Sequence, residues 1–225
     1  MAARAAAGLA GMVPASLTLE RVRIAIGTSV LVSAFDLHVA PGECVTVMGP
    51  SGCGKSTLLA FVAGTVEPLF AASGRVTIGG EDITHLAPER RRIGILFQDD
   101  LLFPHLSVGE NLAFALPAEI HSRAARSAAV AQALAEAELP GFESRDPATL
   151  SGGQRARIAL MRTLLAAPRV LLLDEPFNKL DAKLRHDFRR FVFDHATARG
   201  LPVLLVTHDA VDAEAAAGRI VTLGE

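Results

Sequence analysis

The sequence predicts an α/β fold in which a mostly parallel sheet is flanked by helices, with N-terminal antiparallel strands and an inserted helical lobe. Brief, nearly continuous apolar runs are typical of strands buried on both faces of a parallel sheet. A glycine-rich loop joins an apolar strand to an apolar helix, and a long later stretch has no strong strand pattern. The apolar runs are residues 93–97, 169–173, 202–206 and 219–223.

The N-terminal elements follow from shorter patterns. Residues 17–26 and 30–39 alternate roughly between apolar and polar side chains, which predicts an antiparallel pair of strands. Residues 44–48 are a short apolar strand, and residues 55–62 form an apolar helix that a glycine stops. A further short strand is predicted over residues 75–78.

The length of 225 residues indicates one domain, because domains have about 100–200 residues. Residues 100–167 are too long for a loop and contain no strong strand, and their alanine-rich part, 123–137, has Val130 and Leu134 at helical spacing. We therefore expect a single domain over residues 16–225 with a helical lobe inserted at about 100–167. Residues 1–15 are expected to be a flexible N-terminal extension, with Met12 as an alternative start.

The composition narrows the class of protein. Half of the residues are hydrophobic, which is enough for a sizeable core, and 22 basic residues balance 24 acidic ones. No large basic field marks a nucleic-acid binder, so we expect no nucleic-acid partner. Two cysteines, Cys44 and Cys53, fit a reducing compartment rather than a disulfide framework. No run approaches the roughly 20 apolar residues of a membrane span.

The glycine-rich loop fits the phosphate-binding pattern G-x-x-x-x-G-K-[ST] in the context that the pattern requires, after a strand and before a helix. Its glycines allow backbone N–H groups to face phosphate oxygens, and the helix N-terminus adds partial positive charge. Lys55 supplies a full charge to the phosphates, and the Ser56 hydroxyl is a ligand for Mg²⁺. The pattern predicts a P-loop NTPase core but leaves kinases, GTPases and ATPases open. Its residues are Gly49, Pro50, Ser51, Gly52, Cys53, Gly54, Lys55, Ser56 and Thr57.

Two acids, Asp174 and Glu175, follow the apolar run at 169–173. Bare charges at the end of a buried strand are costly unless they are paired or face a cation. Asp174 suits Mg²⁺, and Glu175 can polarise an attacking water. Alone, the pair could equally be an acidic turn before Pro176; the phosphate loop upstream favours the catalytic interpretation.

A third motif offers small residues, free N–H groups and a hydroxyl before a helix predicted to start near Arg155. It predicts a second anion-binding site in the same chain. We interpret it as a site for the nucleotide of a partner copy, with Ser151 capping the helix at the same time. The motif is Leu150, Ser151, Gly152, Gly153 and Gln154.

With these motifs in this order, the chain resembles the ABC transporter ATPase family from residue 17 onward. The loop at 49–57 corresponds to the Walker A motif, 150–154 to the signature and 171–175 to Walker B. The resemblance is greatest to the importer branch. Residues 93–99 and 146–149 are similar to the small bacterial thiamine-importer ATPases.

The resemblance implies roles for further residues. Gln98 would sense Mg²⁺ and the γ-phosphate, His208 would contact the γ-phosphate, and Asp181 would lie at the dimer interface. Lys55, Glu175 and His208 would be the catalytic set, with ATP and Mg²⁺ as cofactors. Ser56, Gln98 and Asp174 would hold the metal.

The resemblance also implies partners and a location. Two copies would close head to tail around two ATP molecules and drive import through separate multi-span permease subunits, with a substrate-binding protein acting indirectly. The subunit would lie peripherally on the cytoplasmic face of the bacterial inner membrane. Alternatives are an exporter ATPase, a soluble ABC ATPase outside transport, or a non-catalytic ATP-binding module. Residues 101–106 are predicted to contact the permease.

Two positions depart from the family pattern. Ile26 stands where the family often has an aromatic residue that stacks on adenine, and the chain has neither Trp nor Tyr. We expect weak base selectivity, unless Phe35 or another side chain supplies the ring. Asn178 replaces a serine that usually precedes Leu180-Asp181.

Overall fold

The structure, a computed structural model, describes residues 15–224. The extension expected over residues 1–15 lies outside this part of the chain, apart from Ala15. The strands of the described residues are β1 (Leu17–Ile26), β2 (Ser29–Val39), β3 (Cys44–Met48), β4 (Phe70–Ile78), β5 (Glu81–Asp82), β6 (Ile93–Leu96), β7 (Val170–Asp174), β8 (Val203–Val206) and β9 (Arg219–Thr222). They form an antiparallel sheet with the order β2-β1-β4-β5 and a parallel sheet with the order β6-β7-β8-β3-β9.

The helices connect the parallel strands, as crossover connections require. They are α1 (Lys55–Ala63), α2 (Val108–Phe114), α3 (Arg123–Glu136), α4 (Gly152–Leu165), α5 (Ala182–Ala198) and α6 (Ala210–Ala215). The predicted fold class is confirmed: a parallel sheet flanked by helices stands beside antiparallel N-terminal strands. No helix within residues 15–224 combines the length and the apolar character needed to cross a bilayer.

The central strands alternate between two hydrophobic cores. On β7, Leu171 and Leu173 face one core with α4 and α5, whereas Val170 and Leu172 face the other with α1 and the antiparallel sheet. All four side chains are completely buried. Burial on both faces explains the continuous apolar run, and truncating one of the leucines to alanine would cost about 2–5 kcal/mol.

Two elements are longer than predicted. β4 begins at Phe70 rather than at Arg75, because residues 70–73 also pair with β1, although Ala71, Ala72 and Gly74 carry no strand pattern. Tertiary pairing overrides local propensity there. α4 begins at Gly152 rather than near Arg155, because a capping box starts the helix directly after its N-cap.

Between β6 and β7, the chain forms α2, α3, α4 and a short 3₁₀ turn at Pro147–Thr149. α4 packs against α2 and α3, and also against β6 and α5. Because α4 is shared in this way, no break in packing marks an edge of the lobe. The division of residues 16–225 into a core and an inserted lobe at about 100–167 therefore stays a prediction.

Candidate functional site

The phosphate-pattern loop lies where β3 ends and α1 begins, in the predicted strand–loop–helix context. Gly49 has a φ of 156°, and a Cβ atom there would lie 2.5 Å from the carbonyl oxygen of Leu223. A larger residue at this position would displace the backbone, so the tight start of the loop requires glycine. Gly54, the N-cap of α1, has a φ of 99° and carries no capping side chain. The first N–H groups of the helix are left for another acceptor.

Lys55 lies under this loop. Its side chain is buried, and the ammonium donates hydrogen bonds of 2.8 Å to the carbonyl oxygens of Gly49 and Pro50. An ammonium group placed by two carbonyls keeps a third N–H for a further acceptor. The loop therefore holds a positive charge at the same point as the free N–H groups of α1.

Asp174, at the end of β7, meets Ser56, the second residue of α1. The Ser56 hydroxyl donates to Asp174 Oδ1 over 3.0 Å. Burial raises the pKa of Asp174, and the charge of Glu175 raises it further, whereas the Ser56 hydrogen bond and the Lys55 charge act in the opposite direction. A bound cation would stabilise this partly desolvated carboxylate.

A cavity of about 390 Å³ opens at this point. Ser56, Gln98, Asp174 and Glu175 line it, so four of the predicted site residues share one space. Their hydroxyl, amide and carboxylate oxygens are the ligand types that Mg²⁺ accepts, and Mg²⁺ keeps several waters of its own. Within residues 15–224, no three His, Cys, Asp or Glu side chains converge as a metal cluster. The Ser56 hydroxyl and the Gln98 amide oxygen could serve as ligands beside the two acids.

Glu175 lies between two hydrogen-bond donors. His208 Nδ1 is 3.1 Å from Glu175 Oε1, and the Asn178 side-chain amide donates to Glu175 Oε2. The backbone of Glu175 has a φ of 48°, uncommon for a residue with a side chain, and its N–H donates to the Val206 carbonyl over 3.0 Å. Such conformations persist where the surrounding structure fixes them, and they are frequent at functional sites.

Buried charges support the turn that carries His208. Behind it, Arg189 and Asp212 form an ion pair, and the Thr207 hydroxyl donates to Asp212 over 2.9 Å. Arg185 pairs with Asp209 over 2.9 Å. Breaking a buried pair such as Arg189–Asp212 by removing one partner costs about 3–5 kcal/mol. This network, which sequence patterns did not indicate, fixes the residues on both sides of His208.

The remaining predicted residues lie at two helix starts. Ser151 caps α4 by accepting from Gln154 N over 3.3 Å, and Asp181 caps α5 by accepting from Leu184 N over 3.0 Å. The two starts touch, since a Cβ at Gly153 would lie 3.2 Å from Leu184 Cδ2. Among the described residues, no hydrogen bond joins the segment 150–154 to the phosphate loop.

Two acids that follow Gln98 were missed by the sequence analysis. Asp99 pairs with Lys179, and Asp100 pairs with Arg155 over 2.8 Å. They connect the cavity to the segment before α5 and to α4, respectively. Both pairs join residues far apart in the chain, so no local spacing could indicate them.

The position expected to hold the adenine ring is partly open. Ile26, at the end of β1, is 39% exposed and pairs with Phe70 on β4. Phe35 lies opposite Val22 instead, farther along β1. The ring nearest to Ile26 in the strand register is therefore that of Phe70, not that of Phe35.

Comparisons with known proteins agree with these features. Residues 32–178 match the ABC transporter family. The chain is 48% identical over 199 residues to the uncharacterized ABC transporter ATP-binding protein YnjD of Escherichia coli, covering 88% of this chain and 91% of that protein. It is 41% identical to the Fe(3+) ions import ATP-binding protein FbpC of Pasteurella multocida, over 92% of this chain and 58% of that protein. It is 40% identical to the putative 2-aminoethylphosphonate import ATP-binding protein PhnT of Salmonella typhimurium, over 91% of this chain and 55% of that protein.

Proposed function

This chain belongs to the ABC transporter family, as an ATP-binding subunit with ATPase activity, and on that premise we propose that it powers solute import through separate permease subunits. The observation that carries the proposal is the shared cavity of Ser56, Gln98, Asp174 and Glu175 beside the phosphate loop. This cavity is lined by oxygen atoms that could bind a metal ion and by a candidate general base. It lies where the terminal phosphate of a bound nucleoside triphosphate would be.

Within this site, we assign the phosphates to the loop and to Lys55. The ammonium is already placed by two carbonyl oxygens, so little side-chain entropy is lost on binding an anion. Ser56, Gln98 and Asp174 would hold Mg²⁺, which when bound neutralises charge on the β- and γ-phosphate oxygens. These assignments rest on the position of three oxygen-bearing side chains, those of Ser56, Gln98 and Asp174, around one cavity.

Glu175 is our candidate for the base that receives a proton from the attacking water. Its carboxylate accepts one hydrogen bond at each oxygen, and a carboxylate has about four lone-pair sites. Free sites therefore remain for a water molecule. His208 would face the γ-phosphate with the rest of its ring, since more than half of its side chain is exposed.

A second copy of the chain would complete each nucleotide site. Leu150 to Gln154 form a helix start with no hydrogen bond to the phosphate loop of their own chain among the described residues, and Ser151 is exposed there. Free N–H groups at the start of a helix bind anions, so this segment suits the γ-phosphate of a partner's ATP. Asp181 adjoins the same surface and would lie at the dimer interface.

The permease contact is proposed at an exposed apolar patch next to Gln98. Leu101 is 55% exposed and Phe114 is 68% exposed, and the Phe103 ring packs edge-on against Phe114 at 4.9 Å. Exposed apolar groups clustered in this way commonly mark interfaces. The patch begins three residues after Gln98 and so could pass movement between the permease and the metal site.

The cargo is not assigned. The relatives named for iron and for 2-aminoethylphosphonate match this chain at 41% and 40% identity, so similarity does not separate their solutes. The thiamine-importer likeness stays a prediction. We place the subunit peripherally at the cytoplasmic face of the bacterial inner membrane, with a substrate-binding protein acting indirectly and no nucleic acid as partner.

The test combines hydrolysis with membrane recruitment. Purified protein should release phosphate from ATP in Mg²⁺, and Lys55→Ala should weaken ATP binding by tenfold or more, about the effect of losing a charge-assisted contact. Tagged protein should sediment with membranes only when a multi-span protein encoded beside it is co-expressed. If the protein hydrolyses ATP but is not recruited to membranes in this way, the ATPase assignment stands and the proposed transport role fails.

A further inference from the structure

Asn178 and Glu175 are joined twice. The Asn178 side-chain amide donates to Glu175 Oε2, and the Asn178 backbone N–H donates to the Glu175 carbonyl over 3.3 Å. The second bond closes a turn directly after β7 and directs the Asn178 side chain back towards the carboxylate. The other oxygen, Oε1, is 3.1 Å from His208 Nδ1. The carboxylate is therefore held at both oxygens by different donors.

The same arginine supports both donors. Arg185, on α5, donates to the Asn178 carbonyl over 3.4 Å and pairs with Asp209, the neighbour of His208, over 2.9 Å. Asn178, Arg185 and Asp209 are each at least partly buried. A side chain whose neighbours fix its position can act as a rigid donor.

We propose that Asn178 is a positioning residue that orients the Glu175 carboxylate for proton transfer, an inference that rests on the proposed ATPase function. Of the two donors, Asn178 sits in the more enclosed position, whereas His208 is 57% exposed in its side chain. The amide nitrogen lies two bonds beyond Cβ, which lets it reach Oε2 from the turn; a serine hydroxyl, one bond beyond Cβ, falls short. Proton transfer depends steeply on such orientation.

The first test compares steady-state kinetics of the whole protein with ATP and Mg²⁺. Asn178→Asp keeps the shape but removes the donor and places two carboxylates together, so kcat should fall by at least about tenfold, as expected for a lost hydrogen bond to a charged group. Asn178→Ser loses the same hydrogen bond without adding a charge, so its kcat should also fall by about tenfold. The KM for ATP should stay within about twofold of wild type, because neither change touches the phosphate loop.

The matched control is Gln132→Glu. Gln132 also donates its amide to a carboxylate, that of Glu136 over 3.1 Å, but on the exposed face of α3. This variant should hydrolyse ATP at the wild-type rate. An Asn178→Asp protein with kcat within twofold of wild type would overturn the inference, as would a KM that rises as much as kcat falls.

A second test measures the contact without hydrolysis. In the Glu175→Gln background, Asn178→Asp exchanges donor and acceptor, because the new Gln amide can donate to the new carboxylate. A double-mutant cycle of unfolding free energies should therefore be non-additive, with the double variant more stable than the two single changes predict. Additive effects would show that the two side chains do not interact. If wild type itself fails to hydrolyse ATP, the proposed function fails while this cycle still tests the contact.

Discussion

The Ser56 hydroxyl donates a hydrogen bond of 3.0 Å to Asp174, a residue 118 positions later in the chain. Ser56 opens α1 directly after the phosphate loop, and Asp174 ends β7. The parallel order β7-β8-β3 brings the C-terminal ends of β3 and β7 to one edge of the sheet, although the strands are not neighbours. This topology places Asp174, the proposed metal ligand, beside the phosphate-pattern loop.

Asp174→Asn should raise the Mg²⁺ concentration needed for half-maximal hydrolysis by about tenfold or more, because an amide replaces the ligand charge. The measurement is phosphate release across a Mg²⁺ titration. Asp194→Asn, on the exposed face of α5, is the control and should leave the titration unchanged. Equal Mg²⁺ dependence in both variants and wild type would remove Asp174 from the metal site.

Asp174→Asn should also change how the stability of the folded protein depends on pH. Burial raises the pKa of Asp174, so the folded protein holds this proton more tightly than the unfolded chain does. Stability contributed by the protonated form is lost as pH rises through the range in which Asp174 ionises. Melting curves at pH 7 should therefore show Asp174→Asn at least as stable as wild type, with any gain absent at acid pH. A variant that melts earlier at pH 7 would contradict this.

The cysteines should react unequally with maleimide. Burial, and secondly the charge of Glu43, raise the pKa of Cys44 to about 12, so its thiol stays protonated between pH 7 and pH 9. Cys53 is partly exposed within the phosphate loop. Mass spectrometry at pH 7.5 should find label on Cys53 alone, with MgATP slowing the reaction. Label on Cys44, or no protection by MgATP, would count against the geometry of this loop.

The fold class could be predicted because its strongest signals are local. Apolar runs such as residues 170–173 are buried on both faces, and the glycines of the loop mark a required conformation. The start of β4 could not be predicted, since Ala71, Ala72 and Ser73 pair with β1 through tertiary contacts. Local propensity carries no information about such pairing.

Base selectivity should be weak. Ile26 offers apolar contact but no ring, and stacking adds about 0.5–1.5 kcal/mol, which is at most about tenfold in affinity. GTP should therefore be hydrolysed within about tenfold of ATP, and Ile26→Tyr should lower the KM for ATP. Phe70→Leu is the companion variant, because Phe70 faces Ile26 across the strands. A strong preference for ATP that disappears in Phe70→Leu would assign the ring to Phe70.

The apolar patch should be needed for the permease and not for hydrolysis. Phe114→Asp places a charge on a side chain that is 68% exposed, so the fold should tolerate it. We expect membrane recruitment to be lost while the ATPase rate of the purified protein stays within about twofold, since surface changes alter stability little. Val211→Asp, at 55% exposure on α6, is the matched control. Retained recruitment in Phe114→Asp would place the permease contact elsewhere.

The residues of the candidate site could be proposed from the sequence, whereas the side chains that hold them in place could not. Lys55, Ser56, Asp174 and Glu175 follow from spacing, because the chemistry needs those residue types in that order. Their neighbours do not, since the contact between Asn178 and Glu175 depends on the turn after β7. The only sequence signal was that Asn178 departs from the family pattern.

The most direct test of the account is the behaviour of Glu175→Gln with ATP and Mg²⁺. In the proposed mechanism, Glu175 receives the proton of the attacking water, and ATP closes two copies of the chain around the nucleotides. Size-exclusion chromatography with ATP should then show the variant at twice the 23.6 kDa of one chain, with phosphate release nearly abolished, whereas without nucleotide it should elute as a monomer. A variant that releases phosphate at the wild-type rate, or stays monomeric while it binds ATP, would contradict the account.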